Sequence, residues 1–300
     1  MLYIDKSNDK KKGDSVTKDY LINCCFNKNF HRYQDICYDE RDGKGKRFLS
    51  VDYGFYKDRM INVLYKNQYG YCCYCLRKLR KKTSNSSIDK ISIEHIIPRG
   101  YNSSNTKELT KYQRTSNLDK SEIILRENFE KQINPLFPPF PHNVAYNNLV
   151  LSCLGTFPDE NRSTPHNMCC NIVRKDNYAF PAYYLPDIQQ YIYYKTDGTI
   201  FVKKSGPFYE DIYKLVGSTK LFIRSLNEIR RLWYELRYTN YRDIYSCRSI
   251  DERHELLSSK LISMTLEDKK KFISKFIKDD YWKTFMLYHK FYSIMKRLYP

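Results

Sequence analysis

Four cysteines in two widely separated pairs are the tightest constraint this chain places on its own fold. Cys72 and Cys75 form a Cys-x-x-Cys unit, a spacing at which a tight turn aims two thiolates at one tetrahedral ion. Cys153 and Cys170 form a second pair bracketing residues 154–169, and four thiolates complete a closed structural Zn²⁺ site. The neighbours leave a choice open: Cys73 or Cys169 can replace its partner, although Cys73-x-Cys75 is a cramped bite for one ion. The competing reading is a set of small buried thiols with no metal. Cys24, Cys25, Cys37 and Cys247 stand apart from both groups and read as buried or surface thiols.

Redox compartment favours metal over disulfides. The chain starts MLYIDKSNDKKK, without an apolar leader, and no run reaches the roughly 18 to 20 apolar residues of a membrane span. The expectation is a cytoplasmic protein, where thiols stay reduced.

Between the two cysteine pairs lies Ser92-Ile93-Glu94-His95-Ile96-Ile97-Pro98-Arg99. A carboxylate and a histidine meet at the end of a β-prone run, and the proline then forces the chain into a loop. Glu94 suits a hard divalent cation and His95 suits proton abstraction near neutral pH. Taken alone such a pair means little, but its setting adds weight. Downstream come Asn148-Leu149-Val150-Leu151-Ser152-Cys153 and Cys170-Asn171-Ile172-Val173-Arg174-Lys175.

Charge points the same way. With 52 Lys+Arg against 34 Asp+Glu, the chain carries a formal charge of +18, a standing attraction for polyphosphate backbones. A lysine-rich codon bias accounts for part of that excess, so charge alone decides nothing. Arg99, Arg174 and Lys175 are candidate phosphate contacts against the alternative of solvated charge. The run Arg77-Lys78-Leu79-Arg80-Lys81-Lys82 is a plausible backbone-binding loop.

Across Tyr71 to Lys175 the sequence resembles the HNH endonuclease family. It carries in order a Cys-x-x-Cys knuckle, an acidic-His-Ile-x-Pro segment, an Asn-Leu-x-x-x-Cys segment and a Cys-Asn-x-x-basic segment. The resemblance implies a ββα-metal core in which Glu94 and Asn171 hold a catalytic divalent ion, Mg²⁺ or another. It makes His95 the general base and gives Asn148 the task of orienting the histidine loop. Phosphodiester hydrolysis leaving 5′-phosphate ends is implied, with DNA as substrate and RNA not excluded. Glu94 stands where many members have Asp or His, and residues 154–169 replace the usual two between the second cysteines. His142 and His166 are alternative metal ligands to Asn171.

From Tyr56 to Arg237 the chain further resembles the HNH subunit of Septu-type and retron-associated anti-phage systems. The resemblance rests on the long gap between cysteines, on Asp197-Gly198-Thr199-Ile200, and on Ser225-Leu226-Asn227 with Leu232 and Arg237. It implies an ATPase partner and a defence role. The alternative from another class is a non-catalytic, zinc-stabilised nucleic-acid-binding module.

The fold expected is α+β: a ββα-metal core with a zinc knuckle, flanked by helices. Residues 1–47 read as a basic arm, 48–205 as the nuclease domain and 206–300 as a helical C-terminal region. Met60, Ile61 and Leu64 predict a helix ending at Gln68-Tyr69-Gly70. Ile91-Ser92-Ile93 and Leu149-Val150-Leu151 predict strands, Cys170 to Lys175 opens a helix, and Tyr191 to Val202 reads as a hairpin turning at Asp197-Gly198. The apolar stripes in 221–236 and 272–286 predict packing helices, with His254 and His289 as structural or solvated residues on such helices.

Overall fold

The computed structural model describes residues 1, 3–26, 53–76, 79, 91–99, 110, 112, 114–115, 122–125, 136–155, 168–174, 178–204, 206–223, 226–227, 230 and 265. Among these, helices and two-stranded sheets make an α+β arrangement. The lysine-rich loop at 77–82 apart from Leu79, the apolar stripes beyond 230, and His166, Lys175, His254 and His289 lie outside the described residues.

Helix α1 (Lys10–Phe26) buries Gly13, Val16, Thr17, Tyr20 and Leu21 on one face, the three- and four-residue spacing of an amphipathic helix. Helix α2 (Tyr53–Asn67) buries Tyr56, Met60 and Leu64 in the same way. The two pack together, with the Tyr20 and Tyr56 rings 4.5 Å apart. Thr17 and Tyr56 both donate to the carbonyl of Val144, at 2.9 and 2.7 Å. Met1, Ile4, Val16, Tyr20 and Leu21 thus join the same buried cluster as α2. The lysines that suggested an arm decorate the outer side of a helix whose other side is apolar.

Strand β1 (Ser92–His95) pairs antiparallel with β4 (Leu149–Ser152), placing Ser92 opposite Ser152, Glu94 opposite Val150 and His95 opposite Leu149. Between them β2 (Ile123–Ile124) and β3 (Phe140–Pro141) form a short parallel pair. The outer edge of β4 is finished by a side chain. Gln68 accepts from the Leu151 amide at 2.6 Å and donates to the Leu151 carbonyl at 3.0 Å. That carbonyl also accepts from the Cys73 amide at 3.1 Å. Buried backbone groups left unpaired would be costly, so Gln68 lets helix α2 and the first cysteine turn dock directly on the strand.

Past β4, a single-turn helix α3 (Asn171–Arg174) follows the second cysteine pair. Helix α4 (Ile188–Tyr191) leads into the hairpin of β5 (Ile192–Tyr194) and β6 (Ile200–Val202). Its turn is the expected one: Gly198 takes φ 81° and the Thr199 amide donates to Asp197 at 2.9 Å. Helix α5 (Tyr209–Ser218) buries Ile212, Leu215 and Val216 against the same core. The Cys170 amide donates to the Thr219 carbonyl at 2.8 Å, joining this segment to the second cysteine pair. No described helix is long and apolar enough to cross a membrane.

Candidate functional site

The Sγ atoms of Cys72, Cys75, Cys153 and Cys170 all lie within 4.8 Å of one another. Cys75 and Cys153 are 3.7 Å apart and Cys72 and Cys170 4.0 Å apart. A tetrahedral ion with metal–sulfur bonds of about 2.3 Å spaces its sulfurs roughly 3.8 Å apart, whereas a disulfide draws them to about 2.05 Å. The cluster fits an ion such as zinc. Cys73 and Cys169 are buried beside it without belonging to the four.

Local geometry explains how distant residues converge. Helix α2 ends where Tyr69 and Gly70 take positive φ, and Leu76 at φ 62° closes a turn by donating its amide to the Cys72 carbonyl at 3.1 Å. Cys170 itself adopts φ 57°. Across the insertion, Gly155 brings the two segments into contact: its carbonyl accepts from the Cys169 amide at 2.9 Å. A Cβ at Gly155 would sit 1.7 Å from the Cys169 carbonyl oxygen. The long spacing between Cys153 and Cys170 is thus compatible with a closed cluster, because the chain returns to where it left.

On β1, alternation puts Ser92 and Glu94 on one face, with Ser152 beside them on β4. Glu94, 4% exposed, accepts from the Ser92 hydroxyl at 3.0 Å and from the Ser152 hydroxyl at 3.2 Å. The Asn171 side-chain amide donates to the same Ser92 oxygen at 2.7 Å. Glu94 and Asn171 are therefore brought together through one hydroxyl. Burial pushes the Glu94 carboxyl up, and the nearby Arg174 charge works against that shift.

His95 is the last residue of β1. Its Nε2 lies 2.9 Å from the Asn143 carbonyl, which can only accept, so Nε2 carries the proton and Nδ1 keeps the lone pair. Burial first, then the charge of Arg99, holds the imidazole well below its ordinary value, so the ring is neutral. The loop around it is braced by Asn148, fully buried, whose oxygen accepts from the Ile97 amide at 2.8 Å. Its amide nitrogen donates to the carbonyls of Ile97 at 3.0 Å and His142 at 2.6 Å. His142 is also enclosed, donating from Nε2 to the Arg99 carbonyl at 3.1 Å. It pins this loop.

Arg174, a candidate phosphate contact set against solvated charge in the sequence, is buried. Its side chain is 2% exposed and forms a 2.9 Å ion pair with the other oxygen of Glu94. It also donates to the Tyr74 hydroxyl at 3.0 Å and to the His95 carbonyl. Arg99 is exposed and remains at the surface near His95. Ser92, Ser152, Asn143, Gln68 and Gly155 were not singled out by sequence reasoning. Only Ser92 left a usable signal there, lying two residues from Glu94 on a strand. Comparison with protein-family models, curated proteins and solved structures finds no match to this chain.

Proposed function

We propose that this chain is a metal-dependent HNH endonuclease, built on a ββα-metal core and hydrolysing phosphodiester bonds of DNA. The observation that supports this most is the Ser92 hydroxyl, which gathers the Glu94 carboxylate and the Asn171 amide onto one point. The Glu94 carboxylate beside the Ser92 and Ser152 hydroxyls is a hard donor set, suited to Mg²⁺ rather than to a thiophilic ion, and Asn171 would add its oxygen once its amide, here turned to Ser92 through nitrogen, rotates. Glu94 and Asn171 would hold that ion; when bound, it supplies charge stabilisation to the phosphate and the departing 3′-oxygen.

The protein's own groups do the rest. His95, neutral and with Nδ1 available by tautomer, takes the proton of the attacking water. The Asn143 carbonyl fixes that tautomer and ring plane, and Asn148 fixes the loop behind it. Arg99, exposed and close enough to act on His95, meets the phosphate. The DNA substrate, the ATPase partner and the role in anti-phage defence are carried by the motif resemblance.

The test is His95→Ala in zinc-loaded protein, assayed on duplex DNA, single-stranded DNA and RNA with Mg²⁺ or Mn²⁺. Cleavage falls by about 10² to 10⁴-fold with the fold and zinc content retained; an undiminished rate removes His95 from the chemistry. One observation favours a second reading. The buried Arg174–Glu94 pair already neutralises the carboxylate, as a non-catalytic zinc-stabilised binding module would allow. Nucleic-acid binding with no cleavage under any of these conditions, the ATPase partner included, selects that module.

A further inference from the structure

The hairpin of β5 and β6 has two unlike faces. Ile192, Ile200 and Val202 are buried in the core, while Tyr193 and Phe201 stand directly opposite each other on the outer side. Their rings are 4.8 Å apart and tilted by 38°, and Tyr193 is 44% exposed. The Lys195 ammonium lies over the Phe201 ring at 5.5 Å, and strand alternation places exposed Lys203 on the same side. The tip carboxylate, Asp197, is engaged by the Thr199 amide inside the turn.

We infer that this outer face is a stacking platform for single-stranded nucleic acid. Bases stack on aromatic rings without sequence preference, and cations beside the rings meet the phosphates between those bases. A tyrosine and a phenylalanine in cross-strand register, edged by two lysines, supply both. A protein partner suits the face less well, since it places strongly hydrated lysines around a small aromatic centre, whereas protein interfaces deplete lysine. The turn and the buried face hold the rings in place before any ligand arrives. This inference rests on nucleic acid being the partner, as in the proposed function, but not on cleavage.

The experiment is fluorescence anisotropy of a labelled oligothymidine with zinc-loaded full-length chain and no added Mg²⁺ or Mn²⁺. The double variant Tyr193→Ala/Phe201→Ala binds roughly tenfold or more weakly. Tyr193→Val/Phe201→Val, which keeps strand-forming side chains but cannot stack, shows the same loss with unchanged melting. Lys195→Ala and Lys203→Ala each lower the salt dependence, by about 0.7 in log–log slope. Equal binding by a folded valine variant overturns the platform, as does failure of the wild-type chain to bind the oligonucleotide. Cleavage by the wild type, measured in parallel with Mg²⁺, separates the two ideas. Equal binding by the valine variant beside wild-type cutting sinks the platform alone, and ring-dependent binding without cutting sinks the nuclease alone.

Discussion

Arg174 holds three groups with one enclosed guanidinium: the Glu94 carboxylate, the Tyr74 hydroxyl in the first cysteine turn, and the His95 carbonyl. Glu94 is thereby fixed with one oxygen toward Arg174 and the other toward Ser92, the side where Asn171 arrives. Desolvating two charges is costly, so such a pair is weak evidence of net stability; removing one partner is different, because an uncompensated charge remains buried. Arg174→Met should therefore lose about 3–5 kcal/mol of stability, read by urea unfolding of the zinc-loaded protein. Arg174→Met/Glu94→Leu should recover most of it. A single variant that unfolds like wild type would show the pair to be energetically idle. Arg174→Lys should not substitute, since a compact ammonium cannot span the contacts of a planar fork. None of this was legible from the residue alone. In a chain with 52 basic residues, nothing local distinguishes one that turns inward.

Elements recorded in local pattern were readable, and those completed by distant partners were not. The helix before the first cysteines, the strands around Glu94 and Val150, and the Asp197-Gly198 hairpin all follow from spacing within a few residues. Helix α1 was obscured because its lysines and its apolar stripe interleave. The capping of β4 by Gln68, and the bracing of the histidine loop by α1 and α2 through Val144, join residues dozens of positions apart and leave no local trace. The cysteine set was legible as two spacings, but its closure depends on Gly155. That residue has φ 76° and touches the Cys169 backbone. Gly155→Ala is expected to open the cluster: left-handed φ costs a side chain roughly 1–2 kcal/mol, and the collision with backbone adds to it because neither segment can yield. The variant should retain less zinc per chain and melt lower than wild type; full zinc occupancy with unchanged melting would show that the insertion closes without it.

At the scale of the molecule, the cysteine cluster is a junction rather than an appendage. Cys72 and Cys75 follow the end of α2, Cys153 continues β4, and Cys170 opens α3 while its amide holds the Thr219 carbonyl beyond α5. Helix α1 packs on α2 and on the 3₁₀ turn Tyr146–Asn148 that precedes β4. Gly13 lies so close to the Tyr146 ring that a Cβ there would approach it to 2.1 Å. A structural zinc site contributes on the order of 10 kcal/mol, comparable with the whole 5–15 kcal/mol stability of a typical domain. Removing the ion should therefore unfold the core as one unit rather than fray the knuckle. Chelation is expected to abolish the near-ultraviolet signal of packed tyrosines and, with it, hydrogen-exchange protection in α1, whose Tyr20 ring packs on Tyr56 of α2. Cys72→Ser, Cys75→Ser, Cys153→Ser and Cys170→Ser should each reproduce that loss, while Cys73→Ser and Cys169→Ser should keep one zinc per chain. If α1 stays protected after the ion is gone, the cluster is a local staple and the helices of the core stand without it.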